Sequence, residues 1–383
     1  MKIANKTLNK LSSIEFSLGV FYLFYFAMVG VYVIFMPKVL KDIGYSAVEI
    51  GAVYTSAPLM RFLLPFIFKK WVRLTYKLFF ISLLATFLIT LIFFVSIKSF
   101  ILYLILNLLY GGAMGAALPF VETIAIEHIG KEKYGKIRLW GSIGFSLVAF
   151  VLGNILDSYL MALVSLSTMA FFTMLTGFKL AKFDKANAKE ESLEDNRDFS
   201  LLKYWAFWSS IFLLQFSFGG FYNFFTIYET QNGMSLNLVS YLWIFGVACE
   251  IVMLIFQGYL LARYNLINLL FLTTLSAVFR WLLVALFPNN LALIALSQAT
   301  HAFSFALYYT AAISYVYTIY KQKRLAQQFF LGISFGLGGA VGAIVSGLVY
   351  KISPSGLFIF EAFVALISAI LLIIHKKRLK FVS

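Results

Sequence analysis

The sequence predicts an all-α integral membrane protein with twelve transmembrane helices in two six-helix, pseudo-symmetric halves. Three observations carry this: an apolar composition, apolar runs of bilayer-crossing length, and one polar break at the midpoint. The chain has 383 residues, 62% hydrophobic and 12% charged. A soluble domain carries about 45–50% apolar and about 25% charged residues. A helix needs about 20 apolar residues to cross a bilayer. Within lipid only helices and closed barrels satisfy their backbone, and these runs are too long for barrel strands.

The start, MKIANKTLNK, is basic and leads into an apolar stretch that reaches Met36 without a small-residue cleavage site. It reads as a retained first helix rather than a removed signal. In order, the predicted spans are 14–36, 47–68, 77–97, 100–127, 137–156, 158–178, 205–229, 238–260, 267–287, 291–318, 327–350 and 356–375. Residues 179–203 are charged and polar, so the expected division is 1–178, a cytoplasmic linker 179–203, and 204–383. The single Cys249 lies in an apolar run and forms no internal disulfide.

The net charge is +15. If the N-terminus is inside, the inner segments hold Lys2, Lys6, Lys10, Lys69, Lys70, Arg73, Lys77, Lys131, Lys133, Lys136 and Arg138. They also hold the linker cations, Arg263, Lys321, Lys323, Arg324 and the tail KKRLK. The outer segments hold Lys38, Lys41, Lys98 and Lys351. This is the positive-inside asymmetry. It predicts cytoplasmic termini and accounts for the charge without a nucleic-acid partner.

The halves echo each other. Gly30, Tyr32 and Phe35 recur 190 residues later as Gly220, Tyr222 and Phe225, and Gly44 and Ser46 recur 189 later as Gly233 and Ser235. At that second offset Arg61 falls on Glu250. Two parallel repeats around a midplane site are the plan of a secondary transporter.

Ionisable groups inside a span cost about 2.5–3.5 kcal/mol or more at the bilayer centre, so those present point to use. They are Arg61, Glu122, Glu250, Arg280 and His301. At about 1.5 Å rise per residue, Glu250 and His301 lie roughly 15–18 Å deep and Arg280 roughly 10 Å. One internal cluster is expected, with Arg280 paired to Glu250 and His301 within hydrogen-bonding reach; a purely structural ion pair is the alternative. Arg61 is a structural or gating charge. Arg138 stands at the cytoplasmic edge, where snorkelling is the competing account. Glu15, Glu49, Glu127, Glu229 and Glu361 read as interfacial. Three interior Arg (Arg61, Arg138, Arg280) against two Glu (Glu122, Glu250) leave an excess cation that favours a carboxylate-bearing substrate.

Span 5 carries Gly141, Gly144 and Gly153, and span 11 carries Gly338 and Gly342 at small-xxx-small spacing, which lets helices approach closely. Tyr25, Tyr32, Tyr222, Tyr308 and Tyr309 are candidate cavity aromatics. The chain contains no HExxH, no Cys/His cluster and no Asp-rich loop. No cofactor or metal is expected, and an integral membrane enzyme is disfavoured.

YGKIRLWGSIGF (134–145) resembles the fifth-helix signature of the lactose-permease-like branch of the major facilitator superfamily, and in particular its 3-phenylpropionate permease group. PFVE (119–122) is similar to the fourth-helix segment whose Glu binds sugar in the lactose/proton symporter. The resemblance places Glu122 and Arg138 in a substrate site, with Phe145 in place of that family member's stacking Trp. SYLWIFGVACE, VFRW and THAFSF resemble helices 8, 9 and 10, which places Glu250, Arg280 and His301 in a proton-coupling set. Ser304 stands where the symporter has its proton-carrying Glu, and FKKWVRLTYK lacks the superfamily's loop Asp.

The resemblance implies a monomeric, proton-coupled importer of a small organic solute working by alternating access in the lipid bilayer. An aromatic carboxylate such as phenylpropionate is favoured, with Tyr25 and Tyr222 as further substrate-binding candidates. A sugar or nucleoside proton symporter and a proton-driven exporter of small amphipathic molecules are the alternatives.

Overall fold

The computed structural model describes residues 2–70, 75–129, 131–180, 200–321 and 323–382, and every regular element among them is a helix. Twelve segments of the described chain are long and apolar enough to cross a membrane. They are α1 (Ser13–Asp42), α2 (Ala47–Leu64), α3 (Tyr76–Ser96), α4 (Phe100–Glu122), α5 (Ile137–Ile155) and α6 (Tyr159–Leu180). After the linker come α7 (Leu202–Gln231), α8 (Leu236–Arg263), α9 (Leu266–Leu286), α10 (Leu291–Ile319), α11 (Ala326–Ile352) and α12 (Pro354–Arg378). Loop residues 71–74 and linker residues 181–199, on which the expectations about the loop Asp and the cytoplasmic linker fall, lie outside the described residues.

Local chemistry starts these helices where the sequence turns polar. Ser46 and Glu49 form a reciprocal capping box ahead of α2, with Ser46 N–H donating to Glu49 Oε2 at 2.8 Å and Glu49 N–H to Ser46 Oγ at 3.3 Å. Asn265 and Asn290 cap α9 and α10 through their side-chain oxygens. α1 runs six residues past its predicted end at Met36. A π-helical turn at Val31–Phe35 precedes Pro37, and this i→i+5 geometry accommodates the proline's missing N–H. Further π turns occupy Ala302–Leu307 in α10 and Gly332–Gly338 in α11. α7 is broken between Trp205–Phe216 and Gly219–Gln231.

The helices fall into two compact units. One is Met1–Gly44 with Phe66–Glu191, and the other is Tyr45–Pro65 with Ser192–Ser383. α2 thus groups with α7–α12.

In the first unit, α1 and α5 pack at close range. A Cβ at Gly144 would stand 2.0 Å from the Leu23 carbonyl oxygen. In the second unit α11 presents two glycine faces. Gly338 and Gly342 abut the carbonyls of Phe212 and Phe216 in α7, while Gly347 and Gly336 meet Ala47 and Phe62 of α2. Thr55 Oγ1 crosses the same α2–α11 seam to the Ala340 carbonyl at 3.1 Å.

The turns after α1 and α7 share one conformation. Gly44 has φ 105° and Gly233 φ 101°, a backbone that L side chains rarely adopt. Each glycine N–H donates three residues back, to Lys41 O and Thr230 O. The sequence repeat at these positions is therefore a repeat of backbone geometry.

Candidate functional site

In the first unit Arg138 lies two turns into the helix Lys131–Ile155, whose apolar span is α5. Residues 138, 141, 145 and 148 recur at three- and four-residue spacing, so they share one face. That face meets α1: Gly141 lies against Phe26, and Phe145 and Val148 lie against Gly30. The Arg138 guanidinium sits 3.8 Å from the Phe26 ring centroid and 5.4 Å from that of Tyr22. Its Nε is 4.0 Å from Glu122 Oε1, with the two side chains 33% and 36% exposed. A cation held over an aromatic face is stabilised by about 0.5–2 kcal/mol, more as it is desolvated. Phe145 follows two turns along α5, about 10 Å away along the axis. The face therefore carries a half-exposed cation at one end and a ring at the other.

The second unit assembles its charges on α8, α9 and α10. Arg280 is fully buried and His301 is 7% exposed. Arg280 Nη1 lies 2.8 Å from His301 Nδ1, and Nη2 donates to Gln298 Oε1 at 3.3 Å. His301 Nε2 is 3.7 Å from Glu250 Oε2. The guanidinium also lies 3.9 Å from the Phe221 centroid and 4.7 Å from that of Trp281. Arginine only donates. His301 Nδ1 must therefore accept, and a neutral imidazole then carries its proton on Nε2, toward Glu250. The expected Arg280–Glu250 pair is thus mediated by His301. A π turn begins directly after His301 and continues through Ser304, whose hydroxyl donates to its own helix at Thr300 O. The His301 ring is stacked on Phe305, 5.0 Å between centroids.

Tyr222 belongs to this second cluster. Its ring lies between Phe218, at 5.9 Å, and Trp243, at 6.4 Å, within electrostatic reach of Arg280, Glu250 and Arg61. Arg61 presents an exposed side chain on α2. Tyr25, by contrast, is only 5% exposed, and its hydroxyl donates to Met114 O at 3.3 Å inside the first unit.

One carboxylate departs from expectation. Glu229 and Glu361 are both enclosed by protein, with no exposed surface; Glu229 stands near the end of α7, as expected, whereas Glu361 lies seven residues into α12. Glu361 Oε1 accepts the Gly220 N–H, freed where α7 breaks, and a bond from Ser346 Oγ at 3.3 Å. A backbone donor at a helix start takes an acceptor wherever one is supplied, and here α12 supplies it.

Sequence reading also missed Phe26, Phe221 and Gln298. Gln298 was findable, three residues before His301 on the same helix face. Phe26 and Phe221 were not, among 43 phenylalanines. Among the described residues, no group of three or more His, Cys, Asp or Glu is placed to hold a metal ion.

Comparison with known proteins identifies the family and the fold. Residues 16–360 match the MFS_1 like family. The chain is 25% identical over 357 residues to the probable 3-phenylpropionic acid transporter of Escherichia coli (strain K12), covering 90% of this chain and 93% of that protein. It is 22% identical over 293 residues to the maltose permease of Geobacillus stearothermophilus, covering 73% of each. The crystal structure of nucleoside transporter NupG superposes with a TM-score of 0.81 at 17% identity, covering 95% of this chain and 99% of that one, which shows a shared fold. The chain belongs to the MFS_1 like family, and it is a multi-pass membrane transporter of the major facilitator type, not an enzyme.

Proposed function

We propose that this transporter imports a small organic acid bearing an aromatic ring, of the phenylpropionate type, together with protons. The observation that carries the substrate class is the Arg138 guanidinium, a third exposed and seated on Phe26, with Phe145 two turns along the same face. A cation beside aromatic surface complements a carboxylate joined to a ring. The Escherichia coli relative, named for 3-phenylpropionic acid, supports the same class.

The Arg280–His301–Glu250 chain supports proton coupling. While Arg280 holds Nδ1, His301 cannot take a second proton there, so Glu250 is the group open to one. A step that draws Arg280 away would free Nδ1 and redistribute the proton between His301 and Glu250. The inward bias of Lys and Arg supports cytoplasmic termini, and the bacterial relatives support placement in the cell inner (plasma) membrane.

Proteoliposomes test the reading. Added 3-phenylpropionate should alkalinise the medium beyond the permeant-acid control in empty vesicles, and Glu250→Gln should abolish proton-driven accumulation. Alkalinisation with sugars or nucleosides alone would overturn the substrate class and keep symport. Full accumulation by Glu250→Gln would sink the coupling scheme.

A further inference from the structure

A groove of about 470 Å³ opens on the second unit between the first turn of α9 and the last turns of α12. Its wall is Ile267, Asn268, Phe271, Leu372, Ile373, Lys376 and Lys377. The two helices change character at the same level. On α12 the apolar pair Leu372 and Ile373 is followed one turn later by Lys376 and Lys377 (i, i+4 in each case). On α9 Phe271 lies one turn inward of Ile267 and Asn268. Residues one turn apart share a face, with about 5.4 Å between levels. The groove therefore has an apolar floor and a polar, cationic mouth.

The mouth is positive without an acid in its wall. Lys376 Nζ donates to Asn268 Oδ1 at 2.7 Å, which ties the two helices across the groove and fixes one ammonium there. Lys377 is exposed beside it. The surrounding aromatics set the height. Trp205, 40% exposed, lies under the Arg378 guanidinium at 5.7 Å, and Tyr264, 51% exposed, immediately precedes the α9 cap. Trp and Tyr collect at the membrane–water interface, so the lysines stand at headgroup level and the apolar floor at acyl-chain level.

We propose that this groove is a binding site for an anionic phospholipid, with its phosphate between Lys376, Lys377 and Asn268 and an acyl chain along Phe271, Leu372 and Ile373. A soluble phosphate would use only the mouth, and a neutral lipid only the floor; the two together fit an anionic lipid. Basic pockets between membrane helices recognise such headgroups. The site is remote in sequence from the substrate and proton residues and does not depend on the transported solute.

Native mass spectrometry of the purified, delipidated protein in detergent tests this, with phosphatidylglycerol, phosphatidylcholine of the same chains, and inorganic phosphate as probes. Phosphatidylglycerol should bind in preference to phosphatidylcholine and raise the melting temperature. The double variant Lys376→Gln/Lys377→Gln should weaken that binding roughly 25-fold, about fivefold for each lysine. Lys351→Gln should leave it unchanged. Ile373→Trp, which fills the floor and keeps both lysines, should also lose the lipid. Equal binding of the two lipids, undiminished binding to the double variant, or equal protection by inorganic phosphate would each overturn the proposal.

Discussion

His301 Nδ1 lies 2.8 Å from Arg280 Nη1, so the imidazole is turned by a donor that cannot accept. Its remaining N–H faces Glu250. The tautomer follows from arginine chemistry alone, and three residues from three helices act as one unit.

Arg280→Lys retains the charge and removes the planar fork that reaches both His301 and Gln298. Hydrogen bonds to charged groups contribute about 1.5–3 kcal/mol, and an ammonium does not stack on Phe221 as a guanidinium does. The variant should lose about 2 kcal/mol of stability. It should also show impaired proton-driven accumulation with solute exchange preserved. Thermal melting in detergent and counterflow in proteoliposomes measure the two effects, and equal loss of exchange and accumulation would count against a coupling role.

Arg138→Lys should raise KM for an aromatic acid by roughly tenfold, corresponding to about 1–2 kcal/mol of lost stacking and bidentate contact. Phe26→Leu should act in the same direction, because it removes the ring beneath the guanidinium. Concentration-dependent uptake checks both; an unchanged KM in the two variants would remove Arg138 from the substrate site.

Gly144→Ala puts a methyl group 2.0 Å from the Leu23 carbonyl oxygen, a backbone atom that no side-chain rotation moves. The expected cost is about 3 kcal/mol or more, seen as a lowered melting temperature or loss of folded protein. Gly258→Ala, where nothing lies within 4 Å of the added carbon, is the matched control and should melt like the parent.

Gly44→Ala and Gly233→Ala should each destabilise by about 1–3 kcal/mol through backbone strain. A Cβ at Gly44 has nothing within 4 Å, and one at Gly233 touches only Asn289 at 4.0 Å. Similar losses at both positions would confirm that the repeat is conformational; a loss at one alone would show that the turns answer to different neighbours.

Spans were legible because apolar run length is a one-dimensional signal: α3 was placed at 77–97 and is found at Tyr76–Ser96. The α7 break was less so. It contains no proline, and its only marker is the Gly219–Gly220 pair, whose meaning depends on Glu361 arriving from α12. Glu361 was misread for the same reason. Sequence distance from a span end measures depth, but it does not reveal a backbone donor waiting at that depth. Glu250, Arg280 and His301 were legible as a group because charge in an apolar run is conspicuous. Their order was not, since it depends on which helix faces which.

The seam between α2 and α11 gives the chain an unusual connectivity. Gly51 and Gly347 hold backbones in contact, and Thr55 bonds across to Ala340, yet these helices lie on opposite sides of the midpoint in the chain. A protein severed at the linker would still have α2 on the first fragment and its glycine counterpart on the second. Each fragment would be born with an unfilled groove shaped for the other. Assembly of the native molecule is therefore a long-range event, completed only after α11 has left the ribosome.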